Sequence, residues 1–228
     1  MAITLYMHPA STASRPVRLL IAEHKLQIEE KVVDILKGEH YQDEYASLNP
    51  SKQVPMLQDG DFRMTESSAI LKYLSSKFNL PVYPTTDLQK RARVDEVMDW
   101  FNTQFYRDFG YGLAYPQVFP HHKRQSDEIH NGVIAWGKDK SEAWFKVLDT
   151  HYIGKHQYTC GNELTIADYL GACIVTFGEV IKCDFSHYPN VSRWLGNMKK
   201  LQSWNKVNEV LMGFANAVKD QPFKAIRP

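Results

Sequence analysis

Apolar and polar positions alternate at the start of the chain. Ile3, Leu5 and Met7 are separated by smaller or polar residues, the period of a half-buried strand. A polar, proline-containing turn follows over residues 8–12, after which Val17, Leu19, Leu20, Ile21 and Leu26 take up helical spacing. Pro16 is expected at or near the first helical position, where a missing N–H costs nothing. Residues 30–36 alternate again and predict a second strand; residues 37–48, polar with scattered aromatics, predict at most a short irregular helix. Val54, Met56 and Leu57 read as a further strand with Pro55 in its middle. Proline cannot donate to an interior ladder, so this strand is expected to lie at an edge there or to carry a cis Val54–Pro55 bond. Asp59 and Gly60 signal a hairpin turn, with Phe62 and Met64 alternating beyond it. Thr65, Glu66, Ser67 and Ser68 then precede Ala69, Ile70, Leu71, Tyr73 and Leu74, a helix opening. This order predicts a small α/β domain over residues 1–80, with a mixed sheet and an antiparallel edge hairpin.

Residues 81–87 hold two prolines and no periodicity, and read as a linker. Beyond them the pattern is helical, which predicts an all-α domain over residues 88–228. Val94, Val97, Met98, Phe101 and Phe105, three and four apart, predict a helix over 88–109. Glycine, proline and aromatic residues crowd 110–120, where the helix is expected to break or kink and open a space lined by Tyr106, Tyr111, Tyr115 and Phe119. Residues 125–151 carry another helical pattern. Thr165 and Asp168 stand three apart just before Tyr169, Leu170, Ala172 and Ile174, the spacing of a capping box, so both are assigned structural roles. A last helical stretch over 191–218 is interrupted near Gln202 and Ser203, and the tail, 219–228, is expected to pack on the surface or fray.

Composition narrows the function classes. The 228 residues suffice for one large or two small domains with a real core. With 27 Lys and Arg against 26 Asp and Glu, nothing predicts a nucleic-acid surface. The longest apolar runs are too short to cross a bilayer. Cys160, Cys173 and Cys183 form no CxxC pair, and no secretory leader pattern is seen, so a reducing, cytoplasmic compartment is expected.

The chemistry concentrates in the first strand-to-helix turn. Ser11, Thr12 and Ser14 put hydroxyls where free backbone N–H groups gather and the helix dipole is positive, a setting that favours an anion. Taken alone they are equally well read as capping residues.

Four stretches together carry a resemblance: HPASTASR over 8–15, NPSKQVPML over 49–57, MTESSAILKYL over 64–74 and GNELTIADYL over 161–170. In this order the chain resembles the cytosolic glutathione transferases, with the serine-type turn of the theta and delta classes and of the bacterial dichloromethane-dehalogenase-like branch. The resemblance implies a thioredoxin-like N-terminal domain, a helical-bundle C-terminal domain, glutathione as co-substrate, no metal, and a homodimer. It implies that Ser11 donates to the glutathione sulfur. His40, with Lys52 or Gln53, would meet the glycyl carboxylate; Val54, before Pro55, would pair with the cysteinyl backbone; Glu66 and Ser67 would hold the γ-glutamyl end. Tyr6 is the competing hydroxyl, but it falls inside the strand. A hydrophobic electrophile is expected to sit against Met7, Phe105, Tyr106, Phe109, Tyr111 and Tyr115, with Arg107 as a polarising cation. Position 14 is serine where redox members of the superfamily place cysteine, which disfavours thiol exchange. The expected activity is conjugation or dehalogenation; the alternative is a non-catalytic ligand-binding or docking module on the same fold.

Overall fold

A computed structural model describes residues 3–227; Met1, Ala2 and Pro228, at the ends of the expected domain spans, lie outside it. The first domain is a four-stranded sheet in the order β2-β1-β3-β4, with β1 (Ile3–Met7) parallel to β2 (Ile28–Val32) and antiparallel to β3 (Met56–Asp59), and β4 (Phe62–Met64) antiparallel to β3. Helix α1 (Ser14–Glu23) makes the crossover between the parallel pair. A short α2 (Asp43–Ala46) precedes β3, and α3 (Ser67–Lys77) follows β4. The period-2 rule sorts β1 as expected. Ile3, Leu5 and Met7 enter the main core with Val17, Leu20 and Leu71, while Tyr6 turns to the other face, beside a small cluster of Val33, Tyr45, Val54 and Met56.

Three local expectations need correction. The second strand runs Ile28–Val32, not 30–36, because the chain leaves the sheet at Asp34, whose carboxylate accepts the Leu36 and Lys37 N–H groups, and turns at Gly38 with φ 79°. Pro16 is the third residue of α1 rather than the first, still within the turn whose N–H groups lack helical partners. The helix predicted over 88–109 does not break at Gly110. It begins as α4 (Leu88–Trp100), widens into π-type turns over Phe101–Phe105 and Arg107–Ala114, and closes as α5 (Tyr115–Val118) before a 3-10 turn, Pro120–His122. The glycines serve close approach there: a Cβ on Gly110 would collide with the Tyr106 ring, and one on Gly137 with the Gly112 backbone.

Helices α6 (Asp127–Val147), α7 (Ile166–Val175), α8 (Pro189–Met198) and α9 (Trp204–Ala217) complete the second domain around α7, every residue of which is buried. The expected linker is irregular but packed, with Val82 and Tyr83 buried and the Val82 carbonyl accepting the Ile166 N–H at 3.0 Å. The tail is docked, with Ile226 fully buried and its carbonyl accepting the Asp184 N–H at 2.8 Å.

The two domains share one core, and Arg15 pins them together. Its guanidinium is fully buried and donates to Asn208 Oδ1 of α9 (2.7 Å), Thr176 Oγ1 (3.3 Å) and the Cys173 carbonyl (2.5 Å). No carboxylate pairs with it among the described residues. Its compensation is the negative, C-terminal end of α7 together with the amide oxygen of Asn208. Arg15→Met keeps the length but strands those acceptors, and urea unfolding should show a loss of about 2–4 kcal/mol. A loss under about 1 kcal/mol, the range of an ordinary surface change, would mean that the strap is dispensable.

Candidate functional site

The turn after β1 is held by its own backbone. Ser11 donates its N–H to the His8 carbonyl (3.0 Å), and the Ser11 carbonyl accepts from Ser14 (3.2 Å) and Arg15 (3.0 Å). The Ser14 N–H also donates to Ser11 Oγ at 3.2 Å, which occupies a lone pair of that oxygen and leaves its proton free. The three hydroxyls that look equivalent in sequence part company here. Ser14 is fully buried and accepts the His8 N–H at 3.5 Å; Thr12 is buried beside the phenols of Tyr106 and Tyr115; Ser11 alone remains partly open.

Around this turn the first domain arranges groups of complementary character. The 3-10 turn Glu39–Tyr41, entered through Gly38, stacks His40 on Tyr41 with ring centroids 3.9 Å apart. Tyr45 Oη (2.6 Å) and Asn49 Nδ2 (2.7 Å) both donate to the Gln53 carbonyl, which fixes the chain ahead of Val54. Lys52 and Gln53 are exposed, Val54 is buried, and the Val54–Pro55 bond is cis. Among the described residues no backbone hydrogen bond takes up the N–H or C=O of Val54, and β3 begins only at Met56. Glu66, at φ 65°, is exposed at the entrance to α3, with Ser67 as the first helical residue and no side chain capping its N–H groups. Lys52 (φ 52°) and Glu66 thus both hold left-handed backbone, and strain of this kind gathers where geometry is used.

The second domain supplies an aromatic wall. Tyr106 and Tyr115 share a hydroxyl–hydroxyl bond; Tyr111 packs at 5.2 Å from Tyr106 and 5.1 Å from Tyr115; His122 lies 5.4 Å from Tyr115. Burial pushes the phenols up, Tyr115 to about 12 and Tyr106 well above the ordinary value, so both stay protonated donors at neutral pH. Burial also raises Tyr111, with the nearby Glu66 carboxylate adding to the shift; this phenol therefore faces the first domain.

Four of the expected wall residues are placed elsewhere. Phe105 and Phe109 are fully buried against Phe145 (4.9 and 5.2 Å) inside the helical core, and Met7 is closed off beneath the turn. Arg107 is no free cation, because its Nε (2.7 Å) and a terminal nitrogen (3.0 Å) are both given to Asp108. The residues the sequence did not offer are His121, His122, Phe177 and Phe214. Phe177 packs on Tyr115 at 4.9 Å and Phe214 stacks on Phe119 at 6.0 Å. No local pattern marks them, since they arrive from three separate segments. A surface groove of about 640 Å³ along α9, lined by Trp204, Asn208 and Met212, contains none of these residues.

A mixed thioredoxin-like sheet, an all-helical second domain and a hydroxyl-bearing turn between them define a two-domain enzyme architecture. Residues 1–76 match the Glutathione S-transferase, N-terminal domain, and residues 135–202 the Glutathione S-transferase, C-terminal domain. The chain is 30% identical over 196 residues to glutathione S-transferase theta-1 of Homo sapiens, covering 85% of this chain and 81% of that protein. It is 33% identical over 202 residues to the human theta-2B protein, covering 87% and 81%. The structure of human glutathione transferase theta-2, in complex with glutathione and an unknown ligand, superposes with a TM-score of 0.85 at 26% identity, over 97% of this chain and 93% of that one. A Nilaparvata lugens delta-class glutathione transferase gives 0.79 at 28% identity, over 95% and 98%. The chain belongs to the glutathione S-transferase family and is a transferase of the theta/delta type.

Proposed function

We propose that Ser11 holds glutathione as a thiolate for attack on a hydrophobic electrophile lodged against Tyr106, Tyr111 and Tyr115. The observation that carries this reading is the hydrogen-bond state of Ser11: its oxygen already accepts the Ser14 N–H, so its proton is the group left to give to a sulfur. A free thiol has a pKa of roughly 8.5 and is mostly protonated at neutral pH. A hydroxyl donor beside a helix N-terminus lowers that value, at about 1.4 kcal/mol per unit, and the thiol proton passes to solvent. The thiolate then forms a carbon–sulfur bond as a carbon–halogen bond breaks and halide leaves, or adds to a polarised double bond, with proximity supplying the rest.

The rest of the tripeptide finds matching chemistry. The unpaired Val54 backbone suits antiparallel pairing with the cysteinyl unit, next to Pro55. The Glu66 carboxylate suits an ammonium, the free N–H groups at Ser67 a carboxylate, and His40, Lys52 and Gln53 the glycyl end. This reading treats residues up to 80 as the glutathione domain, 81–87 as linker and 88 onward as the domain of the second substrate. Small haloalkanes, as in the dichloromethane-dehalogenase-like branch, are the electrophiles best suited to so tightly packed a wall. Exposed Phe62, lying on Tyr73 at 5.5 Å, and exposed Phe78 favour a homodimer, and three free cysteines favour the cytoplasm. No described helix is long and apolar enough to cross a membrane.

The test is the ultraviolet difference spectrum of bound glutathione against pH. A thiolate band titrating one to two units below free glutathione, roughly at pH 7, is expected. Binding with an unshifted thiol would replace the transferase mechanism with the ligand-binding alternative.

A further inference from the structure

We propose that His121 of the helical domain, together with His40, brackets the glycyl carboxylate of glutathione, so that this carboxylate bridges the two domains. The inference rests on the glutathione reading above and adds a binding residue from the second domain.

The starting point is an unpaired atom. Nδ1 of His40 is closed off from solvent and has no hydrogen-bond partner. Buried N–H groups are left orphaned less readily than buried acceptors, so Nδ1 is best left bare and the ring proton placed on Nε2. Nε2, which is not closed off in this way, then becomes an N–H donor that no other group engages among the described residues.

The opposing wall presents a second imidazole. The turn Pro120–His122 is fastened inward by His122, which packs 5.6 Å from Tyr111 and 5.4 Å from Tyr115. His121 is thereby turned outward. It stacks on Phe119 at 5.7 Å with the planes 22° apart, is exposed, and makes no hydrogen bond or ion pair among the described residues. His121 also lies near enough to His40 for its charge to add to the lowering that burial imposes on the His40 pKa.

Two imidazoles of the same potential charge therefore meet across the cleft with no acid between them. Glu39 does not serve, because its carboxylate accepts the Asp34 N–H at 2.6 Å. What such a pair lacks is an anion with two acceptor oxygens, and a carboxylate has two. The glycyl carboxylate is the one that the neighbouring Lys52 and Val54 place at this end of the site. Because His122 belongs to the same turn, a carboxylate gripped by His121 also steadies the tyrosine wall.

The discriminating probe is γ-glutamylcysteine, which lacks the glycyl unit. His121→Ala should weaken glutathione binding about five- to tenfold, as expected for one charge-assisted hydrogen bond, and leave γ-glutamylcysteine binding within a factor of about two. In turnover the same variant should raise KM for glutathione by that factor at nearly unchanged kcat. His121→Gln, which keeps a donor, should recover part of the loss, and His121→Glu should deepen it through like-charge repulsion. Equal losses for both ligands, or none for either, would overturn the bracket. A native protein that binds neither ligand would instead overturn the glutathione reading itself.

Discussion

Ser11→Ala is expected to lower kcat/KM at pH 7 by about 100-fold, or ~2.7 kcal/mol, with KM for glutathione changed by less than about threefold. The turn itself should survive. The Ser14 N–H lost by Ser11 Oγ still has the Ser11 carbonyl at 3.2 Å, and the Arg15 N–H keeps the same acceptor, so the stability change should stay within about 1 kcal/mol. The sign of the pH dependence follows from the mechanism. A donor that favours the thiolate lowers its pKa, so the native enzyme reaches its plateau at lower pH than the variant. Above roughly pH 9 the variant's thiol ionises unaided and the gap should close. A gap of constant size from pH 6 to pH 10 would show that Ser11 acts on something other than ionisation of the sulfur. Thr12→Ala and Ser14→Ala provide the contrast: their hydroxyls are buried, and their removal should alter stability without moving the thiol titration.

Asp168→Ala should be the most destabilising change at a single carboxylate. Asp168 is fully buried at the start of α7, and five donors converge on it. Oδ1 accepts from the Thr159 N–H and hydroxyl, both at 2.8 Å, and from Trp194 Nε1 at 3.0 Å; Oδ2 accepts from the Thr165 N–H at 2.8 Å and hydroxyl at 2.9 Å. The predicted capping box is complete, with the Thr165 side chain reaching the Asp168 amide in return. Alanine leaves three N–H groups buried without partners at about 1–3 kcal/mol each, so a loss of at least about 4 kcal/mol is expected. For a chain of this size that is a fall in Tm of about 8–16 °C. Asp168→Asn keeps one acceptor oxygen and should lose less. Activity per folded molecule should not change, because Asp168 is occupied with α7 and α8 rather than with the turn at Ser11. A fall of only about 2–3 °C, the mark of a change near 1 kcal/mol, would show that water or rearrangement satisfies those donors.

How legible the molecule was in its sequence depended on how local each feature is. Strand β1, the hairpin of β3 and β4, the opening of α3 and the Thr165–Asp168 box are set by a few neighbouring residues, and all four are where the pattern puts them. The boundary of β2 was misread because Val33 points inward after the strand has ended, so its apolar side chain prolongs the alternation beyond the ladder. The break expected at Gly110 failed for a different reason. Glycine permits a turn, but here it admits the Tyr106 ring against the helix, and the wide turns carry the helix on to Val118.

The site divides along the same line. Residues that meet a ligand through backbone or through a turn of fixed shape were readable: Ser11, Val54, Pro55, Glu66 and Ser67 stand in short motifs whose spacing has local meaning. The aromatic wall was not. On a helix of ordinary pitch Phe105, Phe109 and Tyr106 are equally good candidates, and only the π-type turns decide that Phe105 and Phe109 face Phe145 while Tyr106 faces Thr12. Arg107 looked like a free cation because nothing in a linear pattern says that Asp108, its immediate neighbour, will curl back to take it. His121 carried no signal at all, since its meaning comes from His40, 81 positions earlier in the chain. Sequence by itself determined the order of elements, the family and the chemistry of the turn, because hydrogen-bonded turns and caps are decided within a few residues. Tertiary structure decided which of three hydroxyls stays open and which side chains line the cleft, because burial and facing depend on packing between segments that the chain keeps far apart.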